Sequence, residues 1–260
     1  MPIIVPHQNS SPVVFPNENY RIVKYMDLTK FVSLLQRKAL FFCRLDKLED
    51  HFEGTTAKSN WKKRFDYHAT QHLRTPNFKK LTDQEILKAV EADFEGDRKM
   101  KALKCICCWN IDDFESAALW KIYSDFSQGI MITSKISALI DSFNENTDDI
   151  DLSEVQYINH KLDDMPDFNM MYPVFHKNKA YTYEKELRLI YTVDFEVGWL
   201  YDWSKEEVEQ GKYLPVNLDK LIDEIIVSPY SPDWYIKLID NLCKTYGLKV
   251  DVIKSELARE

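Results

Sequence analysis

The sequence predicts an α+β fold, a single domain with a central mixed β-sheet, flanking helices and a helical insertion. Three observations lead to this prediction. Short apolar runs of strand length alternate with amphipathic runs of helical spacing through most of the chain. A hydrophobic content of 45% over 260 residues supports a full core. From residue 212 onward the pattern predicts strand, short helix, strand, helix and strand.

The first elements follow a proline-rich start. Residues 1–19 lack periodicity, which predicts a flexible N-terminal arm before a domain of residues 20–260. The stretch "YRIVKYM" predicts a strand, and "LTKFVSLLQRK" predicts a helix because its apolar residues have helical spacing. The apolar run "ALFFCRL" predicts a buried strand, which ends in the polar turn "DKLEDHFEGTT".

The composition changes at about residues 57–103. The first half of this segment is basic and aromatic, and the second half is amphipathic and highly charged. We expect a mostly helical insertion here. A basic helical face of this kind is usually solvated, and a phosphate-bearing ligand is the alternative interpretation.

Regular elements resume after the insertion. "KCICCWN" and "GIMITS" predict strands on either side of the helix "DFESAALWKIYSDF". A short helix, "KISALIDSFNEN", and a strand, "SEVQYIN", follow. An irregular loop then leads to "AYTYEKELRLIYTV", which is strongly strand-forming.

The composition excludes several function classes. With 34 basic and 42 acidic residues the formal charge is −8, which disfavours a general nucleic-acid binder and leaves a local basic patch open. The 6 glycines form neither a dinucleotide fingerprint nor a P-loop. The 5 cysteines, the proline-broken start and the lack of a long apolar run indicate a cytoplasmic protein with reduced thiols.

The run from Ala180 to Val193 carries the most informative charges. In a strand, Leu187 and alternate residues after it would face the core, and Glu184, Glu186 and Arg188 would share the other face. One interpretation is a charge ladder in which Arg188 neutralises Glu186 and pairs with the next strand. The other is a site in which the two glutamates do chemistry.

Two further groups are candidates for the same site. Arg44 and Glu53 lie in "RLDKLEDHFEG", whose carboxylates follow an apolar strand and suit a metal ion or a general base, unless they form an ordinary surface turn. Trp120 and Tyr123 share a helix face. We expect core packing for Tyr123, and a pocket floor that stacks on a ring for Trp120. The cysteine and histidine spacings indicate no metal site.

Four segments in order resemble the prokaryotic domain-of-unknown-function family DUF2971. They are "YRIVKYM…ALFFCRLDKLEDHFEG", "CICCWN…ALWKIYSDFSQGIMI", "KAYTYEKELRLIY", which includes Tyr183, and "IDEIIVSPYSPDWYIKLIDNLCKTYGL". The family's "NDPFE" turn is "EDHFE" here, so Asp50, Phe52 and Glu53 match it. The family's motif has an aromatic residue before the arginine, where this chain has Leu187. The resemblance implies no settled reaction, and because some members occur in phage-defence loci it implies an effector.

The Glu-x-Glu pair is also similar to that of ADP-ribosyltransferases. That similarity implies NAD as the ligand, Glu186 as the catalytic carboxylate and Glu184 as its helper for the acceptor. It also implies that Arg21 or Arg44 binds pyrophosphate. The family's Ser-Thr-Ser element has its nearest match in "MITSK".

The sequence leaves three functions open. The first is a defence-type effector with a pocket for a nucleotide-like ligand that includes Tyr183. The second is a non-catalytic sensor or interaction module, and the third is a metal-dependent hydrolase of nucleotides or nucleic acid. Because buried charge needs a partner, we expect Arg44 or Arg188 to contact a carboxylate of the other motif, beside Trp120.

Overall fold

The computed structural model of the chain describes residues 3–4, 14–50, 52–124, 127–167, 169–193 and 210–258. Within these ranges the fold is α+β with a mixed main sheet, as the sequence predicts. In the described part of the chain, the main sheet contains ten strands and a separate sheet contains two. Among the described helices, none combines the length and apolar character needed to span a bilayer.

The strands are short and mostly apolar. In chain order they are β1 Ile3–Ile4, β2 Arg21–Met26, β3 Ala39–Arg44, β4 Lys104–Ile111, β5 Ile130–Lys135, β6 Ile150–Glu154, β7 Gln156–Ile158, β8 His176–Asn178, β9 Glu186–Thr192, β10 Gly211–Pro215, β11 Glu224–Val227 and β12 Asp251–Lys254.

The α-helices connect and cover these strands. In chain order they are α1 Leu28–Arg37, α2 Trp61–Arg74, α3 Asp83–Met100, α4 Ala117–Tyr123, α5 Ile136–Ser142, α6 Leu218–Leu221 and α7 Asp233–Thr245. Helices α2 and α3 lie in the segment where the sequence predicts helices. The extents of an insertion at 57–103 and of a flexible arm at 1–19 stay predictions, and most of that arm lies outside the described residues.

The main sheet divides at β4. The strand order is β1-β6-β9-β4-β2-β5-β11-β12, and β10 joins through β3, which also pairs with β4. One side of β4 pairs with β9 along most of its length. The other side pairs with β3 at Cys105 and Ile106 and with β2 at Asn110 and Ile111. Among the described ladder pairs, residues 107–109 pair with β9 alone, which leaves an opening between β2 and β3.

Both faces of the sheet are covered. Helices α1, α5, α6 and α7 pack with alternate strand residues into the main core, which includes Leu187 and Leu189 as expected. On the opposite face, α4 covers a small cluster with Val23 and Met131. A second cluster on that face joins Ile190 to the segment around Phe175. Strand β9 is therefore buried on both faces, and its polar residues lie inside the protein.

Candidate functional site

A cavity of about 910 Å³ lies at the opening between β2 and β3. Its lining comes from β2, α1, β3, the turn after β3, the middle of β4, the end of α4 and the segment that leads into β9. Lys24 enters the opening and donates from its ammonium to the Cys108 carbonyl at 2.6 Å, where a ladder partner is missing. Glu186, the first residue of β9, lines this cavity.

A buried cluster of five charged side chains forms one wall of the cavity or lies directly behind it. Glu53 comes from the turn after β3, Lys177 from β8, Glu184 from the 3₁₀ helix that precedes β9, and Glu186 and Arg188 from β9 itself. None of the five residues is more than 8% exposed. Three carboxylates against two cations give the ionised cluster a formal charge of −1.

Arg188 is the innermost member of the cluster and is fully buried. Its Nε lies 2.8 Å from Glu186 Oε1, and one terminal nitrogen lies 2.6 Å from Glu53 Oε1. The other terminal nitrogen donates to the Val174 carbonyl at 2.5 Å. The expected contact between an arginine and a carboxylate of the other motif is thus confirmed for Arg188 and Glu53.

Lys177 links all three carboxylates. Its ammonium lies 2.5 Å from Glu184 Oε2, 3.1 Å from Glu186 Oε2 and 3.1 Å from Glu53 Oε1. The ammonium donates hydrogen bonds to Glu184 and Glu186 and forms an ion pair with Glu53. The ammonium takes the position that a cation bound by these carboxylates would need. Within the described residues, no group of three or more His, Cys, Asp or Glu side chains is arranged to hold a metal ion.

The backbone before β9 orients the two glutamates. The sequence predicts that Glu184 belongs to the strand. In the structure it is instead the last residue of a 3₁₀ helix, Lys179–Glu184. Lys185 adopts a left-handed conformation, with φ of 43°, and β9 begins at Glu186. This turn lets both carboxylates reach Lys177. Asn110 fixes it from β4 by donating to the Glu184 carbonyl at 2.7 Å.

The two glutamates have opposite electrostatic environments. Burial alone would raise the pKa of Glu186, but the charges of Arg188 and Lys177 outweigh burial and hold that pKa at about 2. The Cys108 thiol also donates to this carboxylate. At Glu184, burial is the stronger effect and raises the pKa despite the bonds from Lys177 and Tyr123. Glu186 is therefore ionised at neutral pH, and Glu184 takes a proton more readily than an ordinary glutamate.

Two tyrosines support the glutamates. Tyr123, the last residue of α4, donates from its hydroxyl to Glu184 Oε1 at 2.6 Å. It lines the cavity and is 39% exposed, so the expectation that it packs in the core is wrong. The Tyr157 hydroxyl accepts the backbone N–H of Glu186 at 2.8 Å. Burial raises the pKa of both tyrosines, which keeps them protonated.

Other predicted site residues lie elsewhere. Trp120 is buried against the Tyr25 ring, with centroids 5.0 Å apart, and is not among the residues that line the cavity. Arg44 binds Asp46 with its Nε 2.7 Å from Oδ1, and Arg21 donates to the Asp112 carbonyl at 3.2 Å. Neither arginine lines the cavity, in contrast to the expectation for a pyrophosphate ligand.

Tyr183 does line the cavity and is 45% exposed. Sequence analysis missed Lys177, Tyr157 and Asn110. The available signal for Lys177 was its place in "HKNKAYTYEKELR", a lysine shortly before a pair of glutamates that face inward. Tyr157 and Asn110 contribute through strand pairing, which spacing along the chain does not specify.

Comparison with known proteins gives little further information. No protein-family model matches the chain, so the resemblance to DUF2971 stays a prediction. No curated protein matches either. Among solved structures, DarT of Thermus sp. 2.9 in complex with carba-NAD+ aligns over 93% of this chain and 97% of its own, with 8% identity and a TM-score of 0.37. At that TM-score the likeness supports no inference about activity.

Proposed function

We propose that this protein binds a dinucleotide of the NAD type in the cavity and breaks the bond between its nicotinamide and ribose, in the manner of an ADP-ribosyltransferase. One observation carries the proposal. Glu186 is a buried carboxylate at the cavity wall, and its cationic neighbours keep it ionised and fixed in position. Glu186 is the proposed catalytic carboxylate and Glu184 its partner for the acceptor.

The chemistry follows from the charge that develops in the reaction. As nicotinamide leaves, the ribose ring gains positive charge, and a carboxylate that is already oriented stabilises that charge without reorganisation. A carboxylate with a pKa of about 2 stays ionised throughout the neutral range. The cluster's formal charge of −1 also favours the positively charged nicotinamide of the substrate over the neutral product.

The cavity suits a dinucleotide in size and lining. Its volume of about 910 Å³ lies near the upper end of ordinary small-molecule sites, which run from about 300 to 1,000 Å³. Aromatic side chains that can stack on a base line it, and so do lysines that can approach phosphates. They are Tyr25, Phe41, Tyr181, Tyr183 and Tyr213, with Lys24, Lys30 and Lys47.

The proposal extends to a biological role through the DUF2971 resemblance. Some members of that family occur in phage-defence loci, and an enzyme that consumes NAD inside the cell is suited to abortive infection. We therefore propose a cytoplasmic defence-type effector.

Nicotinamide release is the direct test. Purified protein incubated with NAD should release nicotinamide, measured by chromatography, and Glu186→Gln should abolish the release. Glutamine keeps the size and most hydrogen bonds and removes the charge that stabilises the developing cation. Glu224→Gln, an exposed carboxylate on β11, is the matched control and should keep full activity.

The fold of the Glu186→Gln variant is checked by circular dichroism and by its affinity for NAD. Release that survives in this variant refutes the role of Glu186. A wild-type protein that binds NAD and releases no nicotinamide refutes the cleavage.

A second function is favoured by a different observation. The charges of the cluster pair with one another, as in a structural ion network. The alternative proposal is therefore a non-catalytic sensor that binds a nucleotide in the same cavity. Calorimetry with NAD distinguishes the two, because a sensor binds NAD and leaves it intact.

A further inference from the structure

We infer that Tyr123 is a further catalytic residue, whose hydroxyl passes the proton of an attacking water to the Glu184 carboxylate. The inference rests on the proposed cleavage of NAD and goes beyond it by naming the path of the proton. It concerns the step in which water, the simplest acceptor, replaces nicotinamide.

The first support is the hydrogen-bond pattern of Glu184. Its Oε2 accepts from Lys177 at 2.5 Å, and its Oε1 accepts from the Tyr123 hydroxyl at 2.6 Å. Lys177 keeps its own proton, since neighbouring carboxylates raise its pKa. Oε1 is thus the oxygen free to gain a proton, and Tyr123 is the described group that donates to it.

The second support is the difference in exposure between the two residues. Glu184 is 3% exposed, and Tyr123 is 39% exposed and lines the cavity. Both residues line the cavity, and the much larger exposed fraction of Tyr123 gives cavity water more access to this residue than to Glu184. A tyrosine can accept one proton while it donates another, because its oxygen is both donor and acceptor.

The third support is the division of roles between the two glutamates. Arg188 and Lys177 occupy both oxygens of Glu186, and its pKa of about 2 makes it a poor base. The pKa of Glu184 is raised by burial. Two carboxylates whose environments move their pKa values apart are suited to separate tasks, one electrostatic and one as a base.

The position of Tyr123 is also fixed. The Ser116 side chain caps α4, accepting the Leu119 N–H at 3.3 Å. Trp120 anchors the helix to β2 through the Tyr25 ring and donates from its Nε1 to Glu115 at 2.9 Å. Trp120 thus holds the helix that presents Tyr123, although it does not face the cavity.

The water oxygen forms a bond to the ribose C1′ as the bond from C1′ to the nicotinamide nitrogen breaks, and the electron pair stays on that nitrogen. The water proton moves to the Tyr123 oxygen as the Tyr123 proton moves to Glu184 Oε1. The products are ADP-ribose and neutral nicotinamide, and the proton remains on Glu184 until solvent removes it.

The experiment measures nicotinamide release from NAD against pH in the full chain. Tyr123→Phe should lower kcat about 10²- to 10⁴-fold and leave KM within about threefold, as expected when a proton-transfer group is lost. In the wild-type protein, release should fall in acid with a midpoint above the ordinary glutamate value of 4.5. The residual rate of Tyr123→Phe should lose this dependence.

Two further variants separate a catalytic from a structural role. Tyr235→Phe removes a tyrosine bond of the same length, 2.6 Å to the Gln128 carbonyl, in the main core and should keep the wild-type kcat and pH profile. Glu184→Gln should resemble Tyr123→Phe, and the double variant should be no slower than the slower single variant, because both residues act in one step.

The outcomes distinguish this inference from the proposed function. If the wild-type protein releases nicotinamide and Tyr123→Phe keeps its kcat or its acid midpoint, the proton path is wrong and the cleavage stands. Losses that multiply in the double variant also overturn the path. A wild-type protein that releases no nicotinamide overturns both.

Discussion

A terminal nitrogen of Arg188 lies 2.6 Å from Glu53 Oε1, although the two residues are 135 positions apart in the chain. The contact joins the turn after β3 to the first residues of β9, and both side chains are buried. Two motifs that look like separate charged stretches in the sequence therefore form one polar centre.

The first prediction concerns the strength of that contact. Arg188→Met leaves the three buried carboxylates of the cluster with Lys177 as their one remaining cation in the cluster. The substitution should therefore lower the free energy of unfolding by about 3–5 kcal/mol. Glu53→Gln should lower it less, because Arg188 keeps Glu186. A double-mutant cycle, followed by urea unfolding, should give a coupling on the order of 1–3 kcal/mol.

The exposed pair Lys79 and Glu85, 3.3 Å apart, is the control and should show far weaker coupling. Additive effects of Arg188→Met and Glu53→Gln would show that the two motifs are energetically independent.

The sequence predicts this centre in part, for physical reasons. Apolar runs and helical spacing locate β2, α1, β3, β4 and β9 because burial follows periodicity. A contact between Arg44 or Arg188 and a carboxylate of the other motif is predictable because isolated buried charges are costly, but the pairing of Arg188 with Glu53 in particular is not. The one signal for Lys177 is its place shortly before the two glutamates, and because it follows an irregular segment this signal does not place its ammonium among three carboxylates.

The sequence predicts Tyr123 in the core and Trp120 at the pocket, and the structure shows the reverse. Both lie on α4, which spans only Ala117–Tyr123. Two turns of helix do not define an apolar face, so which aromatic residue enters the core depends on packing against Tyr25. Strand pairing, which creates the opening between β2 and β3, is likewise a tertiary property.

The second prediction concerns acid stability. The folded pKa of Glu186 is about 2 against an ordinary 4.5, so the folded state holds its proton less tightly than the unfolded state. The resulting stability, about 3 kcal/mol, is present above pH 4.5 and is lost as pH falls towards 2. Glu186→Gln should remove this part of the pH dependence, measured as urea midpoints across that window. Equal acid slopes in the two proteins would contradict it.

The third prediction concerns Lys177. Lys177→Met leaves three buried carboxylates with Arg188 alone, which should cost about 3–5 kcal/mol of stability and should raise the pKa of Glu184 further. Unfolding in urea at neutral pH measures the first effect. Lys179→Met removes an exposed lysine two residues away, paired with Asp163 at 2.7 Å, and should change stability little. If both variants behave alike, Lys177 does not hold the cluster together.

The fourth prediction concerns Lys104, a buried lysine outside the cluster. Burial lowers the pKa of Lys104 from 10.5 to about 8. The charged ammonium therefore destabilises the folded state below pH 8. As Lys104 loses its proton, the free energy of unfolding rises between pH 8 and 10.5. The cost is about 3 kcal/mol at neutral pH. Lys104→Met should raise the free energy of unfolding there and flatten the alkaline rise. The lost bond to Thr192 Oγ1, 2.8 Å long, offsets part of the gain. A variant less stable than the wild-type protein would show that this bond outweighs the charge.

The last prediction concerns Gly54, which follows Glu53 in the turn. Its φ of +67° lies in the left-handed region, and a Cβ added there would lie 2.3 Å from Leu45 Cδ2. Gly54→Ala should therefore strain the turn and lower the free energy of unfolding by about 1–3 kcal/mol. The strain should move Glu53 away from Arg188, so the coupling between these residues should fall in the Gly54→Ala background.

Gly96→Ala is the matched control, because Gly96 lies within α3 with no atom within 4 Å of an added Cβ. That variant should be more stable by up to about 1 kcal/mol, since alanine favours a helix. If Gly54→Ala keeps the wild-type stability and the full Arg188–Glu53 coupling, the glycine is not what positions Glu53 in the cluster.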